Sequence, residues 1–82
     1  MKFSYKTKGT CSRLIHIELE GEKIKEVSFE GGCNGNLKGI GALVRGMKID
    51  DAIERLEGIR CGFKPTSCPD QLANALKEYK AQ

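Results

Sequence analysis

Eighty-two residues, 39% hydrophobic and 30% charged, exclude a disordered chain and suffice for one small domain with a modest core. Fourteen basic and eleven acidic residues leave a net charge of +3. No basic stripe is interleaved with the stacking aromatics of a nucleic-acid module, and no apolar run reaches the roughly 18 residues of a membrane span. The opening MKFSYKTKGT lacks the apolar segment of a secretory signal, so a reducing, cytosolic setting is expected. In chain order, residues 1–6 read as a first strand, which Gly9-Thr10-Cys11-Ser12 breaks. Residues 13–20 alternate: Ile15, Ile17 and Leu19 point one way, and His16, Glu18 and Glu20 the other. Gly21-Glu22-Lys23 turns the chain into residues 24–30, where Val27 and Phe29 share a face. This predicts an antiparallel meander of about three strands with one buried side.

The period then changes. After GGCNGN, Leu37, Ile40, Gly41 and Val44 recur at helical spacing until Gly46. Gly39 and Gly41 cost helix propensity, so each is expected where another backbone approaches. A second helix is predicted from Asp50 as N-cap, with Ile49, Ala52, Ile53 and Leu56 on one side and Gly58 just past its end. Residues 69–80 form the third, striped by Leu72, Leu76 and Tyr79. Strands followed by helices predict an α+β domain with three helices on one face of the sheet.

Four cysteines carry the chemistry. Cys11 falls in the first turn, Cys33 in the glycine-rich loop, Cys61 in IRCGFKP and Cys68 at the start of the last helix. All four sit at element ends, whereas a cysteine used as filler belongs on an apolar stripe. Three readings compete: two disulfides, which a reducing compartment disfavours; unrelated free thiols; and a convergent thiolate site. The spacing forms no CxxC pair, so the third requires loops that meet in space. With Pro69 at the first helical position, Cys68 is expected to be the N-cap, where unpaired backbone N–H groups and the helix dipole favour an anionic, metal-binding sulfur. The glycines around Cys33 give a similar setting, and the loop lacks the GxxxxGK[ST] pattern of a nucleotide site. His16, on the polar side of a strand, is expected at the surface and not as a ligand.

Thr66-Ser67-Cys68-Pro69-Asp70 resembles the motif that names the TSCPD domain, and the chain from GTCSR to the closing helix is similar to the small stand-alone members of that family. Relatives of the domain occur at the C-terminal end of cobalamin-dependent ribonucleotide reductases. The resemblance implies a metal site and an association with deoxyribonucleotide synthesis. It does not make this chain the catalyst, because a radical active site and its nucleotide sites need a far larger domain. A more distant resemblance is to the U-type iron–sulfur scaffold proteins. On that pattern Cys11, Cys33 and Cys68 correspond to the three scaffold cysteines, but Arg13 stands in place of an aspartate and Ser67 in place of a histidine.

The expectation is therefore a single metal-binding domain over residues 1–82, with no catalytic or nucleotide-binding residue of its own. Cys11, Cys33 and Cys68 are the ligands, with Cys61 as the fourth and Asp70 as the alternative. Zinc leads, since four thiolates suit a closed tetrahedral site, and an iron–sulfur cluster uses the same donors. The expected role is an accessory to ribonucleotide reduction, with ribonucleotide reductase or a thiol- or sulfur-transfer protein as partner. The alternatives are an iron–sulfur or sulfur carrier and a metal-free thiol–disulfide relay.

Overall fold

Alternation of apolar and polar residues builds the sheet. In the computed structural model, which describes residues 1–10, 12–32 and 34–81, β1 (Lys2–Lys6), β2 (Ser12–Glu20) and β3 (Lys23–Gly31) form an antiparallel meander in the order β1-β2-β3. Register sets two cross-strand rows on the inner face: Tyr5, Ile15 and Phe29 form one, and Phe3, Ile17 and Val27 the other. The pairing slips twice. At the start of β2, Ser12 pairs with Gly31 but Leu14 with Glu30, so β2 carries one extra residue. Further along, Glu18 pairs with Glu26 but Leu19 with Ile24, so β3 carries one extra residue there. That irregularity turns both Ile24 and Val27, three apart, into the core.

Three helices follow: α1 (Asn34–Val44), α2 (Ile49–Leu56) and α3 (Cys68–Ala81). α1 packs on β3, and α2 packs on α3. One cluster joins sheet and helices; its largest fully buried side chains are Ile15, Ile17, Ile24, Leu72 and Leu76. Each contributes about 1.5–3 kcal/mol relative to exposure. Phe3 stacks on Tyr79 with ring centroids 5.5 Å apart, which ties the edge strand to the end of α3. Among the described residues, no helix is long and apolar enough to cross a membrane.

Three local expectations need correction. Gly41 does meet backbone, since a Cβ there would stand 2.6 Å from the Val27 carbonyl oxygen, but a Cβ on Gly39 would meet nothing within 4 Å. Two residues are about 200° of helical rotation, so the two glycines face opposite sides of α1. Asp50 is not the cap of α2. The helix starts at Ile49 after Lys48, whose side chain makes no cap bond. The Ile49 N–H instead donates to the Glu22 carbonyl at 2.8 Å, and Lys48 bridges Lys23, so the sheet fixes where α2 begins. Asp50 pairs with Lys80 of α3. Finally, Cys68 is the first residue inside α3 and not its cap. Gly58 does lie just past the C-cap of α2, Glu57.

Candidate metal centre

The last helix is capped by Ser67. Its Oγ accepts the Asp70 N–H at 3.1 Å and donates to the Ile59 carbonyl at 2.6 Å. Its own carbonyl accepts the Gln71 N–H at 2.8 Å, as the residue before the first turn should. Cys68 therefore occupies the first helical position and Pro69 the second. Proline still suits that place, because the second amide of a helix also lacks an intrahelical partner.

Around this cap runs a chain of hydrogen bonds joining three distant segments. The Lys8 N–H donates to Gln71 Oε1 at 3.1 Å, and Gln71 Nε2 donates to Thr66 Oγ1 at 3.1 Å. The Thr66 hydroxyl donates to Asp70 Oδ2 at 2.5 Å, while Asp70 Oδ1 accepts the Gly58 N–H at 2.7 Å. The Thr66 hydrogen bond is the main cause holding the Asp70 carboxyl below the ordinary carboxylate range. The Gly58 N–H and the charges of Lys77 and Arg60 act in the same direction, against the opposing effect of burial. Gln71 is buried and satisfied at both ends. Sequence reasoning passed over it; the available signal was an amide at the position before Leu72, flanked by residues of a buried helix side.

Cys61 and Cys68 are free thiols. Both line one cleft of about 520 Å³ between α1 and the segment leading into α3. The Cys61 N–H donates to the Thr66 carbonyl at 3.2 Å and the Lys64 N–H to the Cys61 carbonyl at 3.0 Å. These bonds close the loop between the two cysteines. On the far wall stand Gly35, Asn36, Gly39 and Leu43, spaced so that they share one side of α1.

Cys11 and Cys33 lie outside the described residues, but their chain neighbours do not. Thr10 lines the same cleft. Ser12 Oγ is 3.1 Å from Cys68 Sγ, within hydrogen-bonding range. The turn before β2 is pinned by Thr7 and Thr10, whose hydroxyls both donate to the Ser12 carbonyl. Ser12 also pairs across the sheet with Gly31, and Gly31 and Gly32 both take left-handed φ, at 81° and 77°. Glycine is the residue that adopts two such angles without strain, so the chain can turn there from β3 toward α1.

A model of the TSCPD domain matches residues 2–80. The chain belongs to the TSCPD family. No curated protein and no solved structure matches it. In this TSCPD protein the naming motif is a structural unit as much as a chemical one. Thr66 and Asp70 bind each other and reach Gln71 and Gly58, Ser67 caps, and Cys68 is left facing the cleft.

Neither Asp70, the alternative ligand, nor His16, expected at the surface, lines the cleft. Both oxygens of Asp70 already accept hydrogen bonds from within the chain. His16 lies on the outer side of the sheet between Ser4 and Glu30, with Nδ1 2.8 Å from Ser4 Oγ and Nε2 paired with the carboxylate. Among the described residues, no three His, Cys, Asp or Glu side chains cluster as a metal site; two of the four cysteines are outside that set.

Proposed function

We propose that this TSCPD protein holds one metal centre through Cys11, Cys33, Cys61 and Cys68, with zinc as the metal, and serves as an accessory module in ribonucleotide reduction. The observation that carries the reading is the cleft. Cys61 and Cys68 open onto it, and so do Thr10, next to Cys11, and Gly35, two residues beyond Cys33. Three segments far apart in sequence thus border one space, the first two with a cysteine one or two residues from a lining residue and the third with both Cys61 and Cys68 on the cleft. The donor chemistry fits: thiolates select zinc or iron–sulfur centres over hard cations. Cys61 is favoured over Asp70 as fourth ligand because the carboxylate is engaged in holding Gly58 and Thr66. Replacing those bonds by a metal would undo the cap region that presents Cys68.

Four protein thiolates leave no open coordination position, which suits a permanent site rather than a transferable cargo. The link to ribonucleotide reduction rests on family membership, since relatives of the domain close the chains of such reductases. Anaerobic purification, elemental analysis and an absorption spectrum test the reading. One zinc per chain in a colourless protein supports it. Iron with acid-labile sulfide favours an iron–sulfur centre and the carrier instead, and a metal-free chain with four titratable thiols leaves the relay.

A further inference from the structure

Of the four large hydrophobic side chains that stand exposed among the described residues, Leu43 and Ile59 line the thiol cleft and Phe63 sits beside it, in the turn between Cys61 and Lys64. Phe63 makes no use of its ring inside the fold, since it is 109% exposed. Leu43 is 77% exposed although it sits on a helix whose other side is buried. Scattered surface apolar residues need no explanation, but a group rimming one concavity does.

The charged residues that line the concavity are basic, although the Asp70 carboxylate next to the lining residue Pro69 already interacts with Arg60. Arg60 and Lys64 line it, and no carboxylate does among the described residues. The sequence shows the same bias. Residues 1–17, 31–49 and 58–69, which carry all four cysteines, contain four, three and two basic residues and no acidic one. All eleven acids lie in the remaining stretches. An apolar floor inside a basic rim is complementary to an apolar stripe flanked by carboxylates.

We infer that the cleft between α1 and the 59–69 segment docks an acidic amphipathic helix of a partner protein. The wall formed by α1 favours a helix, because a Cβ at Gly35 or at Gly39 would meet nothing within 4 Å, so a second backbone can approach there. Leu and Phe side chains of the incoming helix would meet Leu43, Ile59 and Phe63, while its carboxylates face Arg60 and Lys64. This surface goes beyond the metal reading and does not depend on it, since none of the five anchoring side chains is a proposed ligand.

The test uses the full chain, with and without chelator. The probe is a synthetic helical peptide with Leu and Phe on one face and Glu on the other, against a twin carrying Lys in place of Glu. The Glu peptide is expected to shift the amide resonances of Leu43, Ile59 and Phe63, and its affinity is expected to fall steeply with salt. The double variant Arg60→Glu/Lys64→Glu, and separately Phe63→Ser, should each weaken it about tenfold or more. Lys23→Glu, a charge change at the start of β3, should leave it unchanged. Equal binding of the two peptides, shifts confined to other surfaces, or no binding overturns the inference. So does concentration-dependent self-association that moves the same amides, which would make a second copy the occupant. Binding of anionic lipid vesicles that the Glu peptide does not displace would overturn it in favour of a membrane surface. A chain that carries no metal as purified and still binds the Glu peptide would count against the metal centre alone.

Discussion

A hydroxyl one residue away from a thiol separates two roles that look like one in the sequence. Ser67 caps α3 and holds Ile59, so Ser67→Ala should cost about 1–2 kcal/mol in denaturant unfolding, with metal present or absent. Cys68→Ser should leave the metal-free stability almost unchanged but lose most of the bound metal, read by elemental analysis; full occupancy in that variant defeats the proposed centre. Cys61→Ala should weaken retention about as much as Cys11→Ala does, because each would remove one of the four proposed thiolates. Asp70 adds a pH signature. Its folded-state pKa is lowered, so its contribution is present above the ordinary carboxylate range and is lost as pH falls through the folded value. The partly exposed Asp70→Asn variant should therefore lose on the order of 1 kcal/mol near neutral pH, a gap that closes in acid, as pH-dependent unfolding would reveal. These roles were only half legible. The motif residues stood out as a group, but serine and cysteine are both acceptable beside a proline at a helix start. Only the direction of the Ser67 hydroxyl decides which one caps.

On the helices, Gly39 and Gly41 of α1 offer a matched pair. Gly41→Ala would drive a Cβ into the Val27 carbonyl and force α1 away from β3, with an expected loss of about 1–3 kcal/mol. Gly39→Ala meets open space and should stabilise the helix by about 0.5–1 kcal/mol, both read from unfolding midpoints. Composition treats the two glycines alike; the rotation of the helix against the sheet distinguishes them. The same limit applies to α2. A sequence reading favours Asp50 as its cap because aspartate is a good one, yet the pairing of residues 46–49 with the edge of β3 sets the boundary first. Strand residues were more transparent, since Ile15, Ile17 and Leu19 alternate through β2 without interruption and all are buried. Their neighbour β3 hid its irregularity, because nothing local marks the extra residue between Ile24 and Val27.

For the molecule as a whole, a small core implies that a resident metal contributes substantially to folding. Complete chelation should lower the melting temperature by several degrees, since a ΔΔG of about 1 kcal/mol moves a domain of this size by roughly 4–8 °C. An unchanged calorimetric transition after verified metal removal would dismiss a structural centre. The α+β architecture follows directly from the order of strand and helix periods. The cleft was less accessible to sequence reading, because it is built by contacts such as Lys8 with Gln71 and Ser12 with Cys68 that span most of the chain. Those long separations also order events in time. The β2–β3 hairpin closes across the short Gly21-Glu22 turn, whereas the hydrogen-bonded line from Lys8 through Gln71 and Thr66 to Gly58 must wait until both ends of the chain meet. Substitutions along that line, such as Gln71→Met, should therefore quicken unfolding in stopped-flow chevrons while leaving the folding arm nearly unmoved. The sheet would then be an early product of folding, and the thiol cleft would be completed after it.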